Sequence, residues 1–224
     1  MFRALWILSA ILAVGQTGTA RLFLDLTTPQ VERMEKAHKV GCSGGGGVFV
    51  TGRPYQPPRV TLRLEIARLS AHNFVPGRGF VADLQLTNTG DKAIKLPWNP
   101  DEYVIYGKNC KNFGRPSPSP TLVGSLSLKL LGTAGQSKFV GGHDLYARMD
   151  QPATYRVLQP EQSAVIRVGG KFYPPRGGKG AKALTGSKQF KLLAVFDLTD
   201  SRIVNPYQTV TSENSVVVTS SSNK

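Results

Sequence analysis

Three histidines are the first side chains to consider for catalysis, because a nucleophile triad needs a histidine between a serine or cysteine and an acid. They are His38, His72 and His143, and none lies in a recognisable catalytic motif. His143 beside Asp144 is the best remaining fragment, in a glycine-containing segment that predicts a long loop. Two adjacent ligands rarely complete a metal site. The sequence therefore predicts no catalytic residue, metal site or cofactor.

A basic and aromatic segment is the strongest indication of a binding surface. It reads "GGKFYPPRGGKGAKALTGSK" over residues 169–188 and contains Phe172 and Tyr173. Cations hold phosphates or sulfates by charge, while a ring stacks on a sugar or base. The alternative is a solvated loop whose charges only maintain solubility. The candidate anion-binding residues are Lys171, Arg176, Lys179, Lys182 and Lys188.

The net charge of the chain favours the same kind of partner. The 224 residues include 28 Lys and Arg against 14 Asp and Glu, a formal net charge of +14. Such a field favours an acidic protein, an anionic glycan or another envelope polymer, and a membrane only by surface charge or an uncleaved leader. No helix-turn-helix, zinc-finger or ribonucleoprotein motif occurs, which disfavours sequence-specific nucleic-acid binding. The charge also favours a monomer.

The first twenty residues have the layout of a secretory signal peptide. Arg3 precedes an apolar run from Ala4 to Val14, and small residues follow up to Ala20. The run is shorter than the roughly 20 residues that span a bilayer. We expect a secreted or periplasmic protein cleaved near Ala20, with an uncleaved anchor as the alternative. In that oxidising compartment, Cys42 and Cys110, the two cysteines of the chain, are predicted to form one disulfide.

Residues 21–58 are predicted to be an N-terminal arm or linker with a short helix. Thr28 and Pro29 suit a helix start, and Gly41 would end the helix after Lys39. The glycine run at 44–47 and the stretch "GRPYQPPR" that follows predict a connector.

From residue 59 the apolar residues alternate with the period of a strand. The stretches "VTLRLEIARL" and "FVADLQLTN" are the clearest examples. The next stretch, "LTNTGDKAIKL", predicts a hairpin turn in which Asn88 accepts a hydrogen bond and Gly90 takes a positive φ. Further strands are predicted at 93–96, 102–106, 125–131, 154–158, 163–168, 189–198 and 215–219. Seven to nine short strands without alternating helices predict an all-β, two-sheet antiparallel sandwich over 59–220, followed by a disordered tail at 221–224.

Four motifs carry a resemblance over about residues 59–220: "LQLTNTGDKAIKL", "VLQPEQSAVIRV", "QFKLLAVFDL" and "SENSVVV". Their order and spacing resemble the secreted bacterial immunoglobulin-like domains, including the BsuPI-like proteinase-inhibitor domains. The resemblance implies an immunoglobulin-like β-sandwich. One position departs from the family pattern, because Pro160 is followed by Glu161 where those domains have glycine.

Three functions follow as hypotheses. The first is an exported, non-enzymatic interaction or structural module of the cell envelope that binds anionic polymers through the basic loop. The second, implied by the resemblance alone, is a proteinase inhibitor that inserts an extended loop into a protease cleft. The third is a hydrolase or metalloenzyme whose site is assembled from residues far apart in the sequence.

Overall fold

The computed structural model describes residues 22–27, 59–75, 77–100, 121–132, 137–172, 189–200 and 208–220. Several predicted features lie outside these residues: the signal peptide, the arm helix, the disulfide between the two cysteines, the strand at 102–106 and the C-terminal tail. The described residues form an all-β fold, with one short 3-10 turn at Pro152–Thr154. Their strands are β1 (Leu22–Leu26), β2 (Leu62–Leu69), β3 (Asn73–Phe74), β4 (Gly79–Asn88), β5 (Ile94–Pro97), β6 (Thr121–Leu131), β7 (Ser137–Arg148), β8 (Tyr155–Leu158), β9 (Ser163–Lys171), β10 (Gln189–Asp200), β11 (Gln208–Thr211) and β12 (Val216–Ser220).

Ten of these strands form one large, mostly antiparallel sheet. Its order is β2-β4-β9-β7-β6-β10-β12-β3, while β1 pairs with β9 and β11 pairs with β10. The strands β5 and β8 form a separate two-stranded sheet. Within the described ranges, no helix combines the length and the hydropathy needed to cross a membrane.

The large sheet is nearly closed by hydrogen bonds between β2 and the residues around the β11–β12 connection. The backbone of Ile66 is bonded twice to the side chain of Asn214, its amide donating to Oδ1 at 2.8 Å and its carbonyl accepting from Nδ2 at 2.9 Å. The amide of Val60 donates to Oε1 of Gln208 at 3.1 Å. Among the described strands, β2 pairs with a strand on one edge only. On its other edge, these side chains hydrogen-bond to backbone groups of Ile66 and of Val60, which precedes β2.

One hydrophobic core fills the interior of the fold. Along β4, Phe80, Ala82, Leu84 and Leu86 are buried, whereas the residues between them are half-buried, as expected when successive side chains point to opposite faces. The same core cluster contains Phe196 from β10 and inward residues of the other long strands. Burying one such leucine or phenylalanine side chain stabilises the fold by about 1.5–3 kcal/mol.

Strand β1 lies within the segment that the sequence predicted as an arm. Residues Leu22 to Leu26 nevertheless pair in parallel with Ala164 to Val168 of β9. Leu26 is buried in the core, and the ring of Phe23 lies 5.2 Å from the guanidinium carbon of Arg167 on the outer face. This stretch therefore belongs to the sheet. Its backbone pairs with an edge of β9, and Leu26 adds to the core.

The turn after β4 differs from the predicted hairpin. Asn88 does cap the turn, since its Oδ1 accepts a hydrogen bond from the amide of Gly90 at 3.0 Å. However, β5 pairs with β8 and not with β4, so the turn leads from the large sheet to the small one. Gly90 is also not among the glycines with positive φ. A polar turn between alternating strands indicates a change of direction but does not identify the strand that pairs next.

Candidate binding site at the seam between β7 and β9

A seam divides the large sheet where β7 and β9 meet. The two strands are joined at one residue pair, Gly141 with Gly170. The glycines allow a close approach, because a Cβ atom on Gly141 would lie 2.6 Å from the carbonyl oxygen of Gly169. A Cβ on Gly170 would lie 2.3 Å from the ring of Phe80. A larger residue at 141 would force the two halves of the sheet apart, whereas one at 170 would displace the ring of Phe80 within its own half.

An open cleft of about 800 Å³ lies beside this seam. It forms because β1 and β7 use the same edge of β9, with β1 along 164–168 and β7 at Gly170, which leaves a gap between them. The hydroxyl-bearing residues that line the seam cleft are Thr27, Ser70, Ser125 and Ser127. Its volume is within the range of about 300–1,000 Å³ that small-molecule sites occupy.

A lysine and an exposed aromatic ring line one end of the seam cleft, and a second lysine lies over that ring. Phe139 and Lys171 both line the cleft, and the Phe139 side chain is 64% exposed. The ammonium of Lys129 lies 5.0 Å from the centre of the Phe139 ring. Lys138 precedes Phe139 in β7. We call Lys129, Lys138, Phe139 and Lys171 the basic rim.

The described residues that flank positions 173–188 lie close together at this end of the sheet. Residues 173–188, which include Arg176, Lys179, Lys182 and Lys188, are outside the described residues. The residues that flank them are described, and the rings of Phe172 and Phe190 are buried with their centroids 6.1 Å apart. Lys171, at the end of β9, is exposed. The described residues on either side of positions 173–188 are therefore adjacent in the fold, and Phe172 directly follows the rim residue Lys171.

The basic segment in the sequence indicates Lys171 but not the other residues of the rim. A usable signal was present, because the dipeptide Lys-Phe occurs both at 138–139 and at 171–172. The structure assigns these phenylalanines different roles: Phe139 is exposed, whereas Phe172 is 5% exposed and belongs to the core. Sequence alone does not separate the two, because each follows a lysine near glycines.

The His143–Asp144 pair lies in a strand and not in the predicted loop. Both residues belong to β7, and His143 is 2% exposed. Its Nδ1 lies 2.8 Å from the backbone oxygen of Asp144. Adjacent strand residues point to opposite faces, and the Asp144 carboxylate accepts a hydrogen bond from the Ser125 hydroxyl at 2.5 Å. The Ser125 hydroxyl therefore donates directly to the Asp144 carboxylate. In a catalytic triad the histidine lies between the serine and the acid.

A second, smaller groove of about 430 Å³ adjoins the seam cleft and shares Thr27, Ser70 and Val81 with it. Across its floor, the register places Asp25, Arg167, Asp83 and Arg68 in one row over four strands. Nε of Arg167 donates to Oδ1 of Asp83 at 2.7 Å. This hydrogen bond, then the charge of Asp83 and more weakly that of Asp25, raise the pKa of Arg167 against the opposing effect of desolvation. The positive charges of the two arginines in this groove therefore largely neutralise the negative charges of the two aspartates.

Metal ligands do not cluster in the part of the chain that the structure describes. No group of three or more His, Cys, Asp or Glu side chains there is arranged to hold an ion. The predicted disulfide residues, Cys42 and Cys110, lie outside that part.

Comparison with known proteins gives only weak structural similarity. No family model and no curated protein matches the chain. Spo0M, a sporulation control protein from Bacillus subtilis, is 10% identical with a TM-score of 0.31, over 72% of this chain and 50% of that one. AvmM, which catalyses macrocyclisation in alchivemycin A biosynthesis, is 11% identical with a TM-score of 0.32, over 74% and 90%. A PapD-like domain of human CEP192 is 11% identical with a TM-score of 0.24, over 81% and 99%. The chain thus spans half the length of Spo0M, and similarities of this size carry no functional argument.

Proposed function

We propose that this protein is an exported, non-enzymatic binding module that holds anionic polymers at the seam end of its sheet. The observation that carries the proposal is the position of the basic rim beside the two anchors, Phe172 and Phe190, of the basic segment. The ammonium of Lys129 from β6 lies over the exposed ring of Phe139, and Lys171 from β9 lines the same cleft. The sequence between these anchors supplies the further cations Arg176, Lys179, Lys182 and Lys188.

The proposed fold for this module is an immunoglobulin-like sandwich. Strands β1, β9, β4 and β2 form one half of the large sheet, and β7, β6 and β10 form the centre of the other half. The halves meet at the single Gly141–Gly170 pair and share one core, as the two layers of a sandwich would. Loops and strand ends of such folds carry the binding residues on a rigid scaffold.

Export is part of the proposal and is supported by the first twenty residues. Their single arginine, apolar run and small-residue ending are typical of a signal peptide. Intact mass of the protein recovered from its host tests this point, since cleavage near Ala20 removes the first twenty residues. A full-length mass would contradict it.

Retention on a heparin column across a salt gradient tests the binding function. We expect the wild-type protein to bind at low salt and to elute as salt screens the contacts. A variant with Lys129, Lys138 and Lys171 replaced by alanine should elute at lower salt, and so should one lacking Lys179, Lys182 and Lys188.

The matched control removes three positive charges elsewhere. Lys92, Lys95 and Arg156 are exposed at or near the small sheet and do not line the seam cleft. Their replacement by alanine should change the elution salt less than the rim variant does. The proposal is wrong if wild type is not retained at low salt, or if the rim and control variants elute together.

A further inference from the structure

We infer that the polymer bound at the seam is an acidic polysaccharide, one of whose sugar rings enters the seam cleft. This inference rests on the proposed function and specifies the chemical class of the ligand. A charge-only surface would accept nucleic acid, polyphosphate or glycan alike. The groups that line the cleft distinguish between these polymers.

The first argument is a buried hydroxyl in the cleft wall. Ser127 lines the seam cleft and is 9% exposed. Its Oγ makes no hydrogen bond within the described part of the chain. Buried hydroxyls are nearly always hydrogen-bonded, because leaving one without a partner costs free energy. A sugar hydroxyl, which both donates and accepts, would supply that partner from the cleft.

The second argument is the exposed ring at the rim. Phe139 lines the same cleft and is the most exposed of the large hydrophobic side chains among the described residues. The C–H face of a sugar ring is apolar and suits packing against an aromatic ring. Because the ammonium of Lys129 lies over one face of Phe139, the same contact would place a positive charge beside an acidic substituent of the sugar.

The third argument is a carboxylate that disfavours densely charged polymers. Asp144 also lines the cleft, and its side chain is held by the Ser125 hydroxyl at 2.5 Å. A carboxylate accepts hydrogen bonds from sugar hydroxyls but repels closely spaced phosphates. Lysine at the rim with aspartate inside the cleft therefore matches a polymer that alternates charged groups with neutral hydroxyls.

The test compares four probes by titration calorimetry at one salt concentration. The probes are a heparin oligosaccharide, an oligogalacturonide, inorganic polyphosphate and a single-stranded DNA oligonucleotide of matched total charge. We expect at least one acidic oligosaccharide to bind about tenfold more tightly than polyphosphate or DNA, which is the contribution of one or two hydrogen bonds. The heparin and galacturonide probes separate sulfate from carboxylate recognition.

Variants of the cleft make the test specific. Ser127→Ala and Phe139→Ala should each weaken oligosaccharide binding several-fold and leave polyphosphate binding unchanged, and Asp144→Asn should strengthen polyphosphate binding. Thr211→Val is the control, because Thr211 occupies the same cross-strand row as Ser127 and does not line the cleft. Melting temperatures are measured for all variants, and Phe139→Ala should leave the melting temperature nearly unchanged because Phe139 is 64% exposed.

The possible outcomes separate the two proposals. Equal affinity for all four probes, unaffected by the cleft variants, would overturn the acidic polysaccharide and leave a charge-only polyanion binder. Tighter binding of DNA or polyphosphate would overturn it as well. If none of the probes binds, both this inference and the proposed function fail.

Discussion

Glu161 and Asn88 are bonded to each other across two turns of the fold. The backbone amide of Glu161 donates to the carbonyl oxygen of Asn88 at 2.8 Å, and the amide of Asn88 donates to the carbonyl oxygen of Gln162 at 3.0 Å. Asn88 ends β4, whereas Glu161 and Gln162 form the turn that precedes β9. Two of the motifs that suggested a family resemblance are therefore parts of a single hydrogen-bonded unit.

The turn at Glu161 yields the first prediction. Its φ is 61°, and it is the non-glycine residue with positive φ among the described residues. This conformation costs an L-residue roughly 1–2 kcal/mol. Glycine avoids most of that cost, but fixing its more flexible backbone costs roughly 0.5–1 kcal/mol in conformational entropy. We expect Glu161→Gly to raise the free energy of unfolding by about 0.5–1 kcal/mol in urea denaturation.

Glu161→Ala is the control for that substitution. It removes the same exposed side chain but retains a Cβ at positive φ, so it should give no comparable gain. If alanine stabilises the protein as much as glycine does, the charge of Glu161 and not its backbone conformation is the cause.

The side chain of Asn88 yields the second prediction. Asn88 is fully buried, and its Nδ2 donates to the carbonyl oxygens of Lys92 and Leu158, both at 2.9 Å. Asn88→Asp preserves the shape but replaces two donated hydrogen bonds with a carboxylate that faces two carbonyl oxygens. We expect a loss of about 2–4 kcal/mol in the free energy of unfolding.

Asp91→Asn is the matched substitution in the same turn. Asp91 is exposed, so the free energy of unfolding should change by less than about 0.5 kcal/mol. A wild-type stability for Asn88→Asp at neutral pH would contradict the role assigned to the amide of Asn88.

The seam glycines yield the third prediction. A methyl group on Gly141 would lie 2.6 Å from a backbone oxygen and 2.7 Å from the Cα of Gly170, so the strands must separate to accept it. We expect Gly141→Ala to cost about 1–3 kcal/mol and to increase hydrogen exchange at the seam. Gly79→Ala is the control, because its nearest contact would be an ordinary 3.6 Å. Equal effects of the two substitutions would contradict the close approach at the seam.

The same seam explains where prediction from sequence succeeded and failed. The long strands β2, β4, β9 and β10 were predicted near their observed positions, because each is a stretch rich in apolar residues and bounded by turn residues. Strand β7 was missed and read as a loop. Its pairing with β6 shifts register between Leu128 and Lys129. The alternation of buried and less buried residues along β7 is therefore interrupted at Gly141 and Gly142.

The candidate site was predictable only in part for a related reason. Lys171 stands in an evident basic segment, so charge alone indicated it. Ser127 and Phe139 became site residues only because β7, β6 and β9 meet, and that meeting depends on long-range pairing which local patterns do not specify. Strand β1 was missed similarly, since its partner β9 lies far along the chain.

The ion pair on the outer face yields the fourth prediction. The pKa of Arg167 is raised, chiefly by its hydrogen bond to Asp83. A group whose pKa is higher in the folded state contributes stability below its unfolded-state pKa and loses it as the pH rises through the folded-state value. A guanidinium stays protonated at neutral and moderately alkaline pH in both the folded and the unfolded state, so neither pKa is reached there. The destabilisation caused by Arg167→Gln should therefore be the same at about pH 7 and pH 10, as measured by urea denaturation; a loss that fades by pH 10 would contradict this account.

The basic rim yields the last prediction, which concerns salt dependence. Each cation that contacts a polyanion releases a counterion, so the logarithm of the affinity falls linearly with the logarithm of salt concentration. Removing one contacting lysine should reduce that slope by about one unit. We therefore expect single alanine substitutions at Lys129, Lys138 and Lys171 each to flatten the slope measured with a heparin probe by fluorescence anisotropy.

Lys92 provides the comparison, because it lies away from the rim. Lys171 pairs with Gly79 at the start of β4, whereas Lys92 follows the opposite end of that strand. Its replacement by alanine should lower the affinity slightly through net charge and leave the slope unchanged. A general electrostatic attraction would instead give all four substitutions the same small effect. In that case the rim would not be a contact surface, whereas a slope that changes only for the three rim lysines would locate the polymer on the strands beside Phe139.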